Sequence, residues 1–204
     1  MIEFKTSEQR YEIENHVFWM YRVTYEIEMH INAVLSLNSL VSRSDLFSDL
    51  TTDMIFYHNQ LALIHTAFIL KNKTDQDEKH SLFCLKNFLD GKQMKTSDKA
   101  VKAIFEKISN FYEKYQDEID KLIKKRDAEA HELKVDRQVK CSAVNQVSFS
   151  KQLAIVKEVR EITKELHVVI FERDLPSELE YPINLYGSIY DHSLKIIASA
   201  VQHV

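Results

Sequence analysis

The chain has 204 residues and a formal net charge of −4, with only two glycines and two prolines. Average usage of about 7% Gly and about 5% Pro would supply several times that number. Tight hairpins, Gly-rich phosphate loops and Rossmann turns need Gly at positive φ or Pro to fix φ, so Gly91 and Gly187 alone cannot furnish a GxGxxG, a P-loop or a nucleophile elbow. The composition therefore predicts an all-α protein, and the negative balance offers no global field for nucleic acid, so a polyanion would have to meet a local patch. Cys84 and Cys141 match neither a zinc spacing nor a disulfide framework and read as two reduced thiols. The N-terminal stretch MIEFKTSEQRYEIE lacks an apolar h-region, which predicts a cytoplasmic location without a signal peptide. The longest uncharged stretch, Met54 to Leu70, contains His58, Asn59, Gln60, His65 and Thr66, and so predicts a buried helix rather than a membrane span.

In chain order, Glu8 to Val41 predicts a first helix, with Val17, Met20, Tyr21, Tyr25, Ile27, Ile31, Val34, Leu35 and Leu37 recurring every three or four residues. Thr51 to Lys71 predicts a second, apolar on most of its circumference and therefore central to a bundle. A short third helix, Glu78 to Leu89, ends at Asp90 and Gly91. Ser97 to Leu133 predicts one long helix, because Val101, Ile104, Phe105, Ile108, Phe111, Tyr112, Tyr115, Ile119, Leu122 and Ile123 share one stripe at 100° per residue. Lys134 to Ser148 lacks helical period and reads as a loop. Ser148 or Ser150 then caps a helix from Lys151 to Glu172, and a last helix runs from about Leu185 to Val201, after both prolines. No repeat or composition shift divides residues 1–204. The expectation is a single domain, an up-down bundle of five to six helices.

On the wheel of the fourth helix, Arg126 falls in the centre of the apolar stripe. An arginine there must snorkel, pair with an acid or face something other than hydrocarbon, because an unpaired buried charge is costly. His131 follows five residues later, so the segment reads Arg126-Asp127-Ala128-Glu129-Ala130-His131. This R-x4-H pattern, with Asp in the polar place on a long helix late in an all-helical chain, resembles the HEPN superfamily. Its layout is most similar to the branch associated with phage abortive infection. The resemblance implies a homodimeric, metal-independent endoribonuclease of phage-defence or toxin type. Arg126, His131 and Asp127 would be the catalytic residues, with no cofactor, and a regulator or antitoxin is a possible partner. The modifiable tyrosine that some HEPN toxins carry two residues after the histidine is absent, since that position is Leu133.

Elementary helix geometry is compatible with those roles. Positions i and i+5 lie about 140° apart and about 7.5 Å along the axis, so Arg126 and His131 of one subunit do not readily converge. Asp127 and His131, at i and i+4, share a flank, where the carboxylate could orient the imidazole. From Lys121 to Lys140 seven basic residues face four acidic ones, a local +3, and Lys121, Lys124, Lys125, Lys134 and Arg137 are the expected RNA contacts. Helix-end lysines favoured by the dipole account for part of this charge.

Other signals point to structure. Arg10 and His16 also have a permitted spacing but sit near the N-terminus. A di-iron bundle needs Glu-x-x-His, which does not occur; Asp77 to His80 is the nearest spacing. His58 and His65 read as buried and hydrogen-bonded, and Phe111, Tyr112 and Tyr115 as packing residues. The alternative to an enzyme is a non-catalytic HEPN-like module that binds RNA, nucleotide or a partner protein. The residual reading is a plain bundle with Arg126 ion-paired to an acid.

Overall fold

Two long helices, α1 (Ser7–Val41) and α2 (Ser48–Leu70), lie antiparallel: Trp19 meets Phe68 edge to face at 5.4 Å, and His30 meets His58 further along. The computed structural model describes residues 4, 6–41, 48–72, 81–90, 99–132 and 147–177. The expected helix from Leu185 to Val201, Cys141 and most of the connection from Lys134 to Ser148 lie outside the described residues. Among the described residues there are six helices and no strand; the other four are α3 (Leu82–Asp90), α4 (Lys99–Lys114), α5 (Gln116–Glu132) and α6 (Phe149–Phe171). α6 packs antiparallel on α1 and against α4, while α5 leans on α2. The result is an all-α bundle with an up-down core. No helix among the described residues is long and apolar enough to cross a membrane.

The central helix is α1, not α2 as its apolar circumference suggests. Ile13, Val17, Met20, Val23, Ile27, Ile31 and Val34 are all essentially inaccessible, and Thr24, Glu28 and His30 are buried among them. α2 and α6 enclose α1 from two sides. α2 packs on α1, α5 and α3 but keeps an open face, leaving Phe56 54%, Tyr57 59% and Ile64 44% exposed. Leu35, expected inside, is also exposed. Apolar content alone does not reveal which helix is surrounded, because surfaces keep much apolar area.

The single long helix expected from Ser97 to Leu133 is divided at Tyr115 into α4 and α5. Tyr115 N–H donates to Phe111 O at 3.1 Å and Ile119 N–H to Tyr115 O at 2.9 Å, so the stripe of Phe111, Tyr115, Ile119 and Leu122 stays buried across the break. The Tyr115 hydroxyl donates to Glu158 Oε2 at 2.9 Å, fixing this point against α6. Tyr112 accepts the Phe83 N–H at 3.2 Å, and burial pushes its phenol pKa up. The tyrosine cluster is thus packing, as its spacing suggests.

α6 starts where Ser148 accepts the Lys151 N–H and stops at Glu172, whose φ of 56° is left-handed. In a chain this poor in glycine, a glutamate takes the place that Gly usually fills. A polar latch then secures the turn to α1. His167 is fully buried, with Nε2 3.1 Å from Glu14 Oε1 and Nδ1 2.9 Å from Arg173 O, and Arg173 donates to the same carboxylate. Burial raises the Glu14 pKa, but the hydrogen bonds from Arg173 and His167 outweigh it and leave the carboxyl below its usual range.

The α1/α2 seam holds a second polar cluster. His30 Nδ1 and His58 Nδ1 are 2.8 Å apart, so one ring must donate and the other accept, and both cannot be protonated there. Burial lowers the His30 pKa to about 4, with repulsion from His58 and His65 adding to it; burial also lowers His58. Glu26, 3.9 Å from His65 Nδ1, only partly offsets the burial that lowers His65. Folded-state pKa values below the unfolded value mean that stability is full above about pH 6.5 and falls as pH drops from there toward about 4. Urea midpoints are expected to decrease over that window, and His30→Gln should flatten the slope. An unchanged slope in His30→Gln would show that the pair does not set acid stability.

Candidate functional site

α5 begins with Asp117 and Glu118 in its first turn, favourable beside the helix N-terminus, and carries its basic residues toward the other end. Ile119 and Leu122 anchor it, being 1% and 2% exposed. One turn past Leu122, on the same stripe, Arg126 emerges half-buried with its side chain 26% exposed. Lys121, Lys124 and Lys125 lie on the flank and outer face, with Lys124 the most exposed of them.

The guanidinium is held in an unusual way. Arg126 Nε is 2.7 Å from Asp127 Oδ1, yet this buried N–H makes no hydrogen bond among the described residues. Consecutive helical residues diverge by about 100°, which brings the charges together but does not align the donor with a lone pair. Asp127 is exposed, 55% by its side chain, so the pair is partly solvated and weak. The carboxylate therefore faces Arg126, the pairing with an acid that an arginine on an apolar stripe calls for. The backbone of His131 belongs to α5. Its side chain, together with Lys134 and Arg137, lies outside the described residues, and so does the expected approach of Asp127 to His131.

A cavity of about 610 Å³ opens beside this segment, between α1, α2, α5 and the first turn of α6. Leu63, Leu122 and Phe149 form apolar wall, and Asn38, Asn59 and Lys125 supply polar groups. Sequence reasoning missed this feature. Its one visible signal was Asn59, part of the polar run His58-Asn59-Gln60 in the middle of a largely apolar helix.

The remaining polar clusters are structural. Arg10 lies 5.8 Å from the ring centroids of both Phe4 and Phe171, and His16 Nε2 is 4.0 Å from Glu12 Oε1. His58 is buried against His30, as its position on α2 suggests, and His65 is partly exposed. Among the described residues no three His, Cys, Asp or Glu side chains are arranged to hold a metal ion. Cys84 is buried and forms no disulfide. No known protein family, curated protein or solved structure matches the chain.

Proposed function

We propose that the protein is a metal-independent endoribonuclease of HEPN type that acts as a homodimer, in phage defence or as a toxin. Arg126 is the observation that carries this reading: a half-buried guanidinium with an unused Nε–H, on the same helix as His131 and beside three lysines. Such a group is poised for an anion that can align with it better than Asp127 does. RNA brings its own nucleophile, so the chemistry asks for little more than a proton carrier and a fixed positive charge. In this reading His131 accepts the 2′-OH proton as O2′ attacks phosphorus. The P–O5′ bond breaks, the 5′ oxygen leaves with the proton returned by His131, and a 2′,3′-cyclic phosphate remains. Arg126, always charged and able to bind phosphate oxygens in bidentate fashion, stabilises the phosphorane.

Positions 126 and 131 are about 140° apart around an ideal helix, so in this reading the complete site is built from two copies. Lys121, Lys124 and Lys125, with Lys134 and Arg137, track the RNA backbone. The Asp127–Arg126 pair favours a second reading, a non-catalytic module that binds RNA, nucleotide or a partner protein, because it already neutralises part of the arginine's charge.

Incubation of the purified chain with tRNA and with DNA, in the presence of EDTA, separates the two. The expected result is RNA cut to 2′,3′-cyclic ends, DNA intact and a dimer by solution mass. Equal cutting of DNA, a strict need for divalent metal, or no cleavage at all would sink the enzyme reading.

A further inference from the structure

The cavity next to Arg126 has polar groups that the bundle itself does not use. Of its polar lining, Gln152 is committed to structure, its amide donating to Thr66 Oγ1 at 2.8 Å and to Ala62 O at 3.4 Å. Ser148 is committed too, as the cap of α6. Asn38, which is exposed, and Asn59, which is half-buried, are different: neither amide has a protein hydrogen-bond partner among the described residues, so a ligand could reach both. Both lie inside helices, where Asn is a poorer helix former than Ala, and neither gains a local bond in return. Two amides without protein partners in a lining that also carries apolar side chains are suited to a flat ligand with mixed donors and acceptors along its edge.

The wall supplies the complementary feature. Phe149 contributes an aromatic side chain to the lining, beside Leu63 and Leu122. An unpaired nucleobase is recognised in this way, by stacking on an aromatic ring and by hydrogen bonds to its Watson–Crick edge. An Asn amide presents two donors and an acceptor, enough for a bidentate contact. At about 610 Å³ the cavity lies within the roughly 300–1,000 Å³ of small-molecule sites and has room for a base with its sugar. Lys125 stands in the lining, and the next residue, its Cα about 3.8 Å away, is Arg126.

We propose that this cavity is a base pocket. It takes one unpaired nucleobase of the RNA, stacked on Phe149 and read by Asn38 and Asn59, and so delivers the adjoining phosphate toward Arg126. The inference rests on the ribonuclease reading for its substrate, but not for the chemistry of the pocket. It makes Asn38 and Asn59 specificity determinants, selecting which nucleotide flanks the cut.

The test uses the intact chain and the four 2′-deoxynucleosides, which carry no phosphate and cannot be cut. Chemical-shift titration is expected to show binding of one or two of the four. Asn38→Ala and Asn59→Ala should each weaken it about tenfold, the loss of roughly one good hydrogen bond. Both replacements improve helix propensity, so the fold is retained, and a thermal melt verifies it. Arg126→Ala should leave nucleoside binding unchanged. The pocket is overturned if no nucleoside binds, or if binding is indifferent to both amides.

Sequencing of cleavage ends supplies the second arm. Loss of base preference beside the cut in Asn59→Ala assigns the bound base to the RNA. An unaltered cut pattern despite amide-dependent nucleoside binding overturns that assignment in favour of a free nucleotide. The failure of the underlying reading looks different: cleavage insensitive to Arg126→Ala and His131→Ala, with nucleoside binding intact, removes those catalytic residues and leaves the pocket standing.

Discussion

Arg126→Ala is expected to slow RNA cleavage by about 10²- to 10³-fold while leaving the melting temperature nearly unchanged. The rate loss follows from removing a fixed donor to the phosphorane, the scale seen when one oxyanion donor is deleted. The unchanged stability follows from the weak, partly solvated pair with Asp127, whose Oδ1 is near Nε but not aligned with it. Arg126→Lys keeps the charge but not the bidentate fork, and should recover only part of the rate. His131→Ala should cost about 10²- to 10⁴-fold, as expected for a lost proton carrier. Mixing is the more discriminating measurement. If one copy supplies the arginine and the other the histidine, Arg126→Ala and His131→Ala chains, each inactive alone, should regain activity when refolded together. Mixed dimers that stay inactive would show that the site is not shared between copies.

The wheel that placed Arg126 on the apolar stripe was a reliable guide because α4 and α5 keep one hydrophobic face across Tyr115. Local spacing is all such a stripe needs. The capping of α6 by Ser148 was legible for the same reason, since a cap depends on residues three apart. What spacing could not convey is which faces meet. The apolar residues of α2 are as dense as those of a central helix, yet α1 is the more deeply buried helix, and Tyr57 and Ile64 remain on the surface. Nor could it pair Glu14 with His167, 153 residues apart, or His30 with His58. The cavity beside Lys125 shares that limit. Asn38, Asn59, Lys125 and Phe149 come from four helices, and only the packing of those helices gives them a common cavity.

The largest stability effect is expected at Glu28, which lies on the most buried helix and is 2% exposed. Its Oε2 is 2.7 Å from Arg160 Nη2, an ion pair without an aligned hydrogen bond, and its Oε1 is 3.1 Å from Lys157 Nζ. Arg160 is itself well covered. It donates to Thr24 Oγ1 and Thr24 O at 3.0 Å each, and its guanidinium carbon sits 3.7 Å over the Tyr25 ring. These contacts position the arginine but do not neutralise it. Glu28→Ala would leave an uncompensated charge between α1 and α6, a change that costs about 3–5 kcal/mol when one partner of a buried pair is removed. For a chain of this size, roughly 2–4 °C accompanies each kcal/mol, so the melting temperature should fall by about 6–20 °C. Glu28→Gln retains an acceptor for Arg160 and should fall less. The double replacement Glu28→Leu with Arg160→Met removes both charges and should recover most of the loss, because the penalty lies in the orphaned charge rather than in the missing bond. Thermal and urea unfolding of the three variants check the order. Equal losses for Glu28→Ala and the double variant would assign the stability to packing around Glu28 instead of to its pairing with Arg160.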